Sequence, residues 1–194
     1  MTAGAPAAAN TDAVIAATRL WIERAVIGLN LCPFAKAVQV KGQIRYVVSP
    51  ALTGEELLAD LGRELQALAN SDPEVCDTTL LIHPCVLTDF LDYNDFLDVA
   101  DAAIDELDLG GVLQVASFHP HYQFADSGID DVSNYTNRSP YPTLHLLRED
   151  SVDRAVEAFP EADRIYEANI ETLERLGPDG WAALWRDPAP DAGT

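Results

Sequence analysis

The chain has 194 residues, 48% of them hydrophobic, and sets 12 Lys and Arg against 32 Asp and Glu, a formal charge of -20. That length and apolar content fit one domain with a full core, and the charge argues against nucleic acid or an anionic membrane as partner. No apolar run reaches the roughly 18 to 20 residues of a spanning helix, and MTAGAPAAAN lacks the basic start and long apolar stretch of a secretory signal, so the expected setting is cytoplasmic.

Residues 1–10 are rich in Ala, Gly and Pro and are expected as a loose tail, with a globular domain over 11–186 and a second tail over 187–194. From Thr11, Val14, Ile15, Leu20, Trp21, Val26, Ile27 and Leu29 recur at helical spacing, with Asn10 or Thr11 as N-cap. That helix should stop near Asn30, because Pro33 pushes Cys32 out of helical conformation. Gln43 to Ser49 reads as the first strand. Thr53 followed by Glu56 is a capping box, and Leu57, Leu61, Leu65 and Leu68 supply the buried stripe of the next helix. Thr78 to Ile82 is a short apolar strand ending at His83-Pro84. A helix over Thr88 to Leu107 follows, with Asp92, Asp95, Asp98, Asp101 and Asp105 on its polar face. Gly110-Gly111 then breaks the chain before a third strand, Val112 to Phe118, and the fourth runs from Thr143 to Leu147. Ser151 to Phe159 and Ala162 to Leu176 read as helices, the second closed by Gly177 and Pro178 ahead of a turn bearing Trp181 and Trp185. This order predicts a single α/β (α+β) domain, a sheet of about four strands packed with helices.

Between the third and fourth strands lie about 24 residues without helical or alternating pattern, and connections longer than roughly 12 to 15 residues are usually functional or disordered. His119, Tyr122, Phe124, Tyr135 and Tyr141 are residue types that order a loop, so the insertion is expected to line a site for a small-molecule substrate. Within it, His119, Tyr122 and Arg138 are the candidates for chemistry. His121, Asn134, Thr136 and Asn137, with His145 on the fourth strand, are the candidates for substrate binding. Arg138 offers a planar fork for a carboxylate; the competing reading is a loop that bonds to itself. His83 and His119 are expected to meet at one sheet edge, where open α/β sheets place ligands. There they either order the loop or join Asp92 or Asp126 in a metal site.

Cys32 sits in Gly28-Leu29-Asn30-Leu31-Cys32-Pro33-Phe34-Ala35-Lys36, just past a helix end and near Lys36, Lys41 and Arg45. Cationic neighbours would favour a thiolate, whereas the apolar turn favours an inert buried thiol. Cys32, Cys76 and Cys85 cannot all pair within one chain, and all three are expected as free thiols.

GLNLCPFAK, HPCVLTDFLDYNDFLD, QVASFHPHYQFA and DVSNYTNRSPYPTLHLLRE together resemble the bacterial family catalogued as domain of unknown function 1415, over nearly the whole chain. More loosely, the Cys-Pro-Phe-Ala turn and the later His119-Pro120 resemble the YqcI/YcgG family, some of whose members are haem proteins that hydroxylate nitrogen. That second resemblance implies a haem-thiolate oxidoreductase acting on a small polar, amino-acid-like molecule. Cys32 would ligate the haem iron, Lys36, Lys41 and Arg45 would pair with the propionates, and the insertion would hold substrate above the distal face. The alternatives are a cofactor-free transferase or hydrolase with Cys32 as nucleophile and a histidine as base, or a non-catalytic small-ligand-binding protein. Both catalytic readings require the Cys32 sulfur and the insertion to face one hollow.

Overall fold

The computed structural model of the chain describes residues 10–159 and 162–186. Of the expected tails, residues 1–9 and 187–194 lie outside the described residues.

Helix α1 (Thr11–Trp21) starts where Asn10 accepts the amides of Asp12 and Ala13 at 3.1 and 3.3 Å, satisfying two of the donors that a helix start leaves open. Past Trp21 it widens into a π turn (Ile22–Ile27), in which the Gly28 amide bonds the Glu23 carbonyl five residues back at 3.0 Å. A Cβ at Gly28 would collide with the Arg24 carbonyl, so the wide turn closes only on glycine. Asn30 then takes φ 56°, the left-handed stop that asparagine tolerates better than most residues. A six-residue helix α2 (Ala35–Val40) follows the Cys32 turn; it has no apolar stripe and its sequence gave no periodic signal.

The remaining elements are β1 (Ile44–Val48), α3 (Gly54–Ala69), β2 (Thr78–Ile82), α4 (Phe90–Glu106), β3 (Leu113–Phe118), β4 (Thr143–Arg148), α5 (Glu149–Ala158) and α6 (Ile165–Ala183). All four expected strands form, each within a residue or two of its expected bounds. They make one sheet in the order β1-β2-β4-β3, with β1 parallel to β2 and the other pairs antiparallel. The fold is therefore mixed α/β. The capping box forms with a shift: Thr53 accepts the Glu56 amide at 3.2 Å, but Glu56 reaches back to the amide of Leu52 at 2.8 Å.

Alternation along the strands sorts two cores. Val47, Leu81, Leu144, Leu146 and Leu113 pack against the leucine stripe of α3 and against Tyr93, Phe96 and Ile104 of α4. Tyr46, Leu80, Ile82 and Phe118 face the other way, toward Val14, Trp21 and Ala25 and toward Trp181 and Leu184 at the end of α6. Ile82 pairs with Thr143, and so does Phe118, so His83 after β2, His119 after β3 and the whole insertion meet at one edge of the sheet.

Candidate functional site

That edge is built on Tyr93. Its ring is fully buried, its hydroxyl donates to the Thr143 carbonyl at 2.9 Å and accepts the Phe118 amide at 3.0 Å, and it thereby clamps the last residue of β3 to the first of β4. Burial pushes the phenol far above its ordinary range. The rings of His83 and His119 lie against it with centroids at 5.7 and 5.1 Å, so the expected meeting of these two histidines occurs, around a tyrosine.

Their ring nitrogens tell the two histidines apart. His119 is fully buried and has both nitrogens engaged: Nε2 lies 3.2 Å from the Leu87 carbonyl, which can only accept, and Nδ1 takes the His121 amide at 3.0 Å. Burial lowers its pKa, and it is held as the Nε2–H tautomer. Expected as a catalytic group, it instead orders the loop. His83 is also fully buried and donates Nδ1–H to the Val86 carbonyl at 3.0 Å, but its Nε2 lone pair has no partner. Burial pulls its pKa down to about 4. Leu87, at φ 53°, bends this short turn so that its carbonyl reaches His119.

Most of the insertion's polar residues serve the same end. Asn134, fully buried, accepts the Phe124 amide at 2.9 Å and the Ser127 hydroxyl at 2.7 Å and donates to the Gly128 carbonyl at 2.8 Å. Asn137 donates to the Ser117 carbonyl at 3.0 Å, and the Thr136 hydroxyl is buried without a partner. The segment Val132–Asn137 winds into a 3-10 helix capped by Asp131, whose carboxylate takes the Ser133 amide at 2.9 Å and is held below the usual carboxylate range by that bond. His121 is exposed, and Tyr122 packs on Phe90 at 5.2 Å. His145 lies in mid-sheet; its Nε2 is 2.7 Å from the Thr78 hydroxyl, which itself donates to the Leu146 carbonyl, and burial brings its pKa to about 4 although the residue keeps some surface contact. The expected substrate-binding set thus divides, with Asn134 and Asn137 acting as loop scaffold and His145 standing apart from them.

The insertion does form one wall of an open groove of about 420 Å³. Trp21 at the end of α1, Pro120, Tyr135 and Arg138 of the insertion, and Trp181 and Trp185 at the end of α6 line it. Tyr135 and Trp181 stack at 4.9 Å with planes 18° apart, and Trp185 meets Trp181 edge-on at 5.4 Å. Gly177, expected to close this helix, instead kinks it at φ 64° just before Pro178, and α6 runs on to Ala183 so that Trp181 lies within it. Arg24 in the π turn holds the far end, donating to the Leu184 carbonyl at 2.8 Å. The Arg138 guanidinium lies over the Tyr135 ring, 4.9 Å from its centre. Sequence reasoning missed this groove. All three tryptophans of the chain line it, and the i, i+4 spacing of Trp181 and Trp185 was the one available signal.

The Cys32 turn lies elsewhere. Its Leu31 carbonyl accepts Asn169 of α6 at 2.9 Å, and Phe34 packs edge-on against Phe159 at 5.9 Å. The thiol's pKa is raised by burial, against the lowering effect of the Phe34 and Ala35 amides on the sulfur. The cavity beside the turn has about 170 Å³ and is lined by Asn30, Pro33 and α6 residues; neither it nor the aromatic groove is lined by Cys32. The expected shared hollow between Cys32 and the insertion is therefore not among the cavities seen here. Of the basic residues, Arg45 points to the α3 face, where it pairs with Glu64 at 3.1 Å, and Lys36 and Lys41 are exposed. Pockets that enclose drug-sized ligands start near 300 Å³. Neither cavity brings Cys32, the three basic residues and the insertion together, so the haem-thiolate reading draws no support from their arrangement. Among the described residues no three His, Cys, Asp or Glu side chains gather as a metal site, so neither Asp92 nor Asp126 completes one. The three cysteines are free thiols. Arg148 donates to the carbonyls of Leu68 and Ser71 at 2.6 and 2.8 Å.

Fold and site together define an α/β domain in which a self-bonded insertion at one sheet edge closes an aromatic groove against the C-terminal helix. The family model described as "Protein of unknown function (DUF1415)" matches residues 13–183, and the chain belongs to that family. No match was found among curated proteins or solved structures. The YqcI/YcgG resemblance finds no support in these comparisons.

Proposed function

We propose that this protein binds a small organic molecule with a planar apolar body in the groove between α1, the insertion and α6. One observation carries this reading: a groove of about 420 Å³ is walled on three sides by aromatic rings from sequence-distant elements, within the 300 to 1,000 Å³ typical of small-molecule sites. Aromatic walls bury much area per side chain and offer faces on which a flat ligand stacks. The bonds within the insertion fit this reading. A loop whose asparagines and histidine are consumed in holding its own backbone presents Tyr135 and Arg138 from a rigid frame, which lowers the ordering cost of binding.

The dye 1-anilinonaphthalene-8-sulfonate tests it. Its emission should rise on addition of the protein, with energy transfer from the groove tryptophans, and both signals should fall in Trp185→Ala and Trp181→Ala variants whose circular dichroism is unchanged. Dye binding that ignores both substitutions, or no dye binding, would reject the groove as a site.

A further inference from the structure

We propose that the ligand carries a carboxylate which pairs with Arg138, making the groove selective for small aromatic acids over their neutral analogues. This rests on the binding role proposed above and adds the chemical class of the ligand.

The argument starts from which hydrogens of the guanidinium are committed. Arg138 donates Nε–H to the Tyr122 carbonyl at 3.2 Å and Nη2–H to the Ile129 carbonyl at 2.7 Å. Those two bonds use one edge of the planar fork and fix its orientation. The edge formed by Nη1 and the second Nη2 hydrogen makes no bond to the described residues. No carboxylate among the described residues pairs with Arg138, although the chain holds 32 Asp and Glu against 12 Lys and Arg. Asp131, seven positions earlier, turns instead to the Ser133 amide. A half-buried cation held by two carbonyls and the face of the Tyr135 ring, with no carboxylate partner among the described residues, is in a strongly acidic protein an arrangement that an arriving anion improves.

Most of the other polar side chains lining the groove are donors. The indole N–H groups of Trp21, Trp181 and Trp185 can only donate. The Ser139 hydroxyl spends its proton on the Tyr141 carbonyl at 2.6 Å and keeps only lone pairs for a ligand, and the Tyr135 phenol can donate or accept. The deciding donor is the open edge of the Arg138 guanidinium, and a carboxylate attached to a flat ring matches both that edge and the aromatic walls.

Phenylacetate and phenylacetamide have nearly the same shape and differ in charge, so their ability to displace the bound dye isolates the contribution of Arg138. Phenylacetate is expected to displace it about tenfold more effectively, the size of one hydrogen-bonded charge contact. In Arg138→Gln that preference should disappear. Because this variant can also loosen the insertion, the comparison in the unmodified protein is decisive. Equal displacement by acid and amide, or bound dye that phenylacetate fails to displace, would overturn the carboxylate assignment while leaving the groove as a site. A protein that binds neither dye nor acid would overturn both.

Discussion

Two histidines in one aromatic cluster show how much a single hydrogen bond decides. His119 satisfies both ring nitrogens and is a structural strut, whereas His83 leaves Nε2 buried and unpartnered against Tyr93. Protonating His83 would place a second N–H, and a charge, where nothing accepts it. Its pKa of about 4 lies below the ordinary value near 6.5. The folded state therefore binds the proton less readily than the unfolded chain, and stability, full above pH 6.5, is lost as pH falls toward 4. The contribution from this residue is on the order of 3 kcal/mol. Guanidinium unfolding midpoints measured between pH 7 and 4.5 should fall accordingly. The fall should be smaller in His83→Asn, whose amide can keep the bond to the Val86 carbonyl without titrating; an equal fall in the variant would assign the effect to other groups.

At the scale of elements, the insertion behaves as one cooperative piece organised by Asn134, which ties Phe124, Ser127 and Gly128 together from a fully buried position. Asn134→Ala removes three bonds and leaves buried backbone groups unpaired, for a loss of about 2 to 4 kcal/mol. Because Tyr93 clamps β3 to β4 independently, the damage should stay local. Amide exchange should accelerate across residues 119–138 and stay slow in β2 and β4; acceleration spread evenly over the sheet would show that the insertion is part of the core's folding unit. The strands were legible because each is a compact apolar run between breakers, and the longer helices because their leucines repeat at the helical period. The 3-10 helix inside the insertion was not, since its start is an aspartate accepting an amide two residues on, a signal shared with ordinary turns. Neither was the distance between Cys32 and the insertion: local pattern identifies elements, but the order β1-β2-β4-β3 and the course of α6 decide which loops meet. Most polar residues singled out in the insertion build the frame, Arg138 alone of the candidates for chemistry lines the groove, and the rest of its wall includes Trp21, read as part of the first helix, and Trp181 and Trp185, read only as part of a C-terminal turn.

The chain carries a formal charge of -20, and among the described residues part of its basic complement is turned to carbonyls and not to carboxylates. Arg45 and Arg63 pair with Glu64 and Asp60, while Arg138 and Arg148 bond to carbonyls and leave the acidic surface unopposed. The densest stretch is α4, where Asp92, Asp95, Asp98, Asp101 and Asp105 are exposed and the last turn contains no basic residue to meet the negative end of the helix dipole. Such self-repulsion weakens the compact state and is screened by salt. Raising sodium chloride from about 0.01 to 0.15 M shortens the screening length from roughly 30 to 8 Å, so Tm should rise, by about 3 to 6 °C if screening recovers 1 to 2 kcal/mol in a domain of this size. Asp105→Lys should raise Tm further at low salt and less at high salt, because it supplies both a C-terminal cation and relief from its neighbours. A Tm that is flat or falls over this range would mean that the acidic face contributes no net repulsion, and that its charge acts on solubility alone.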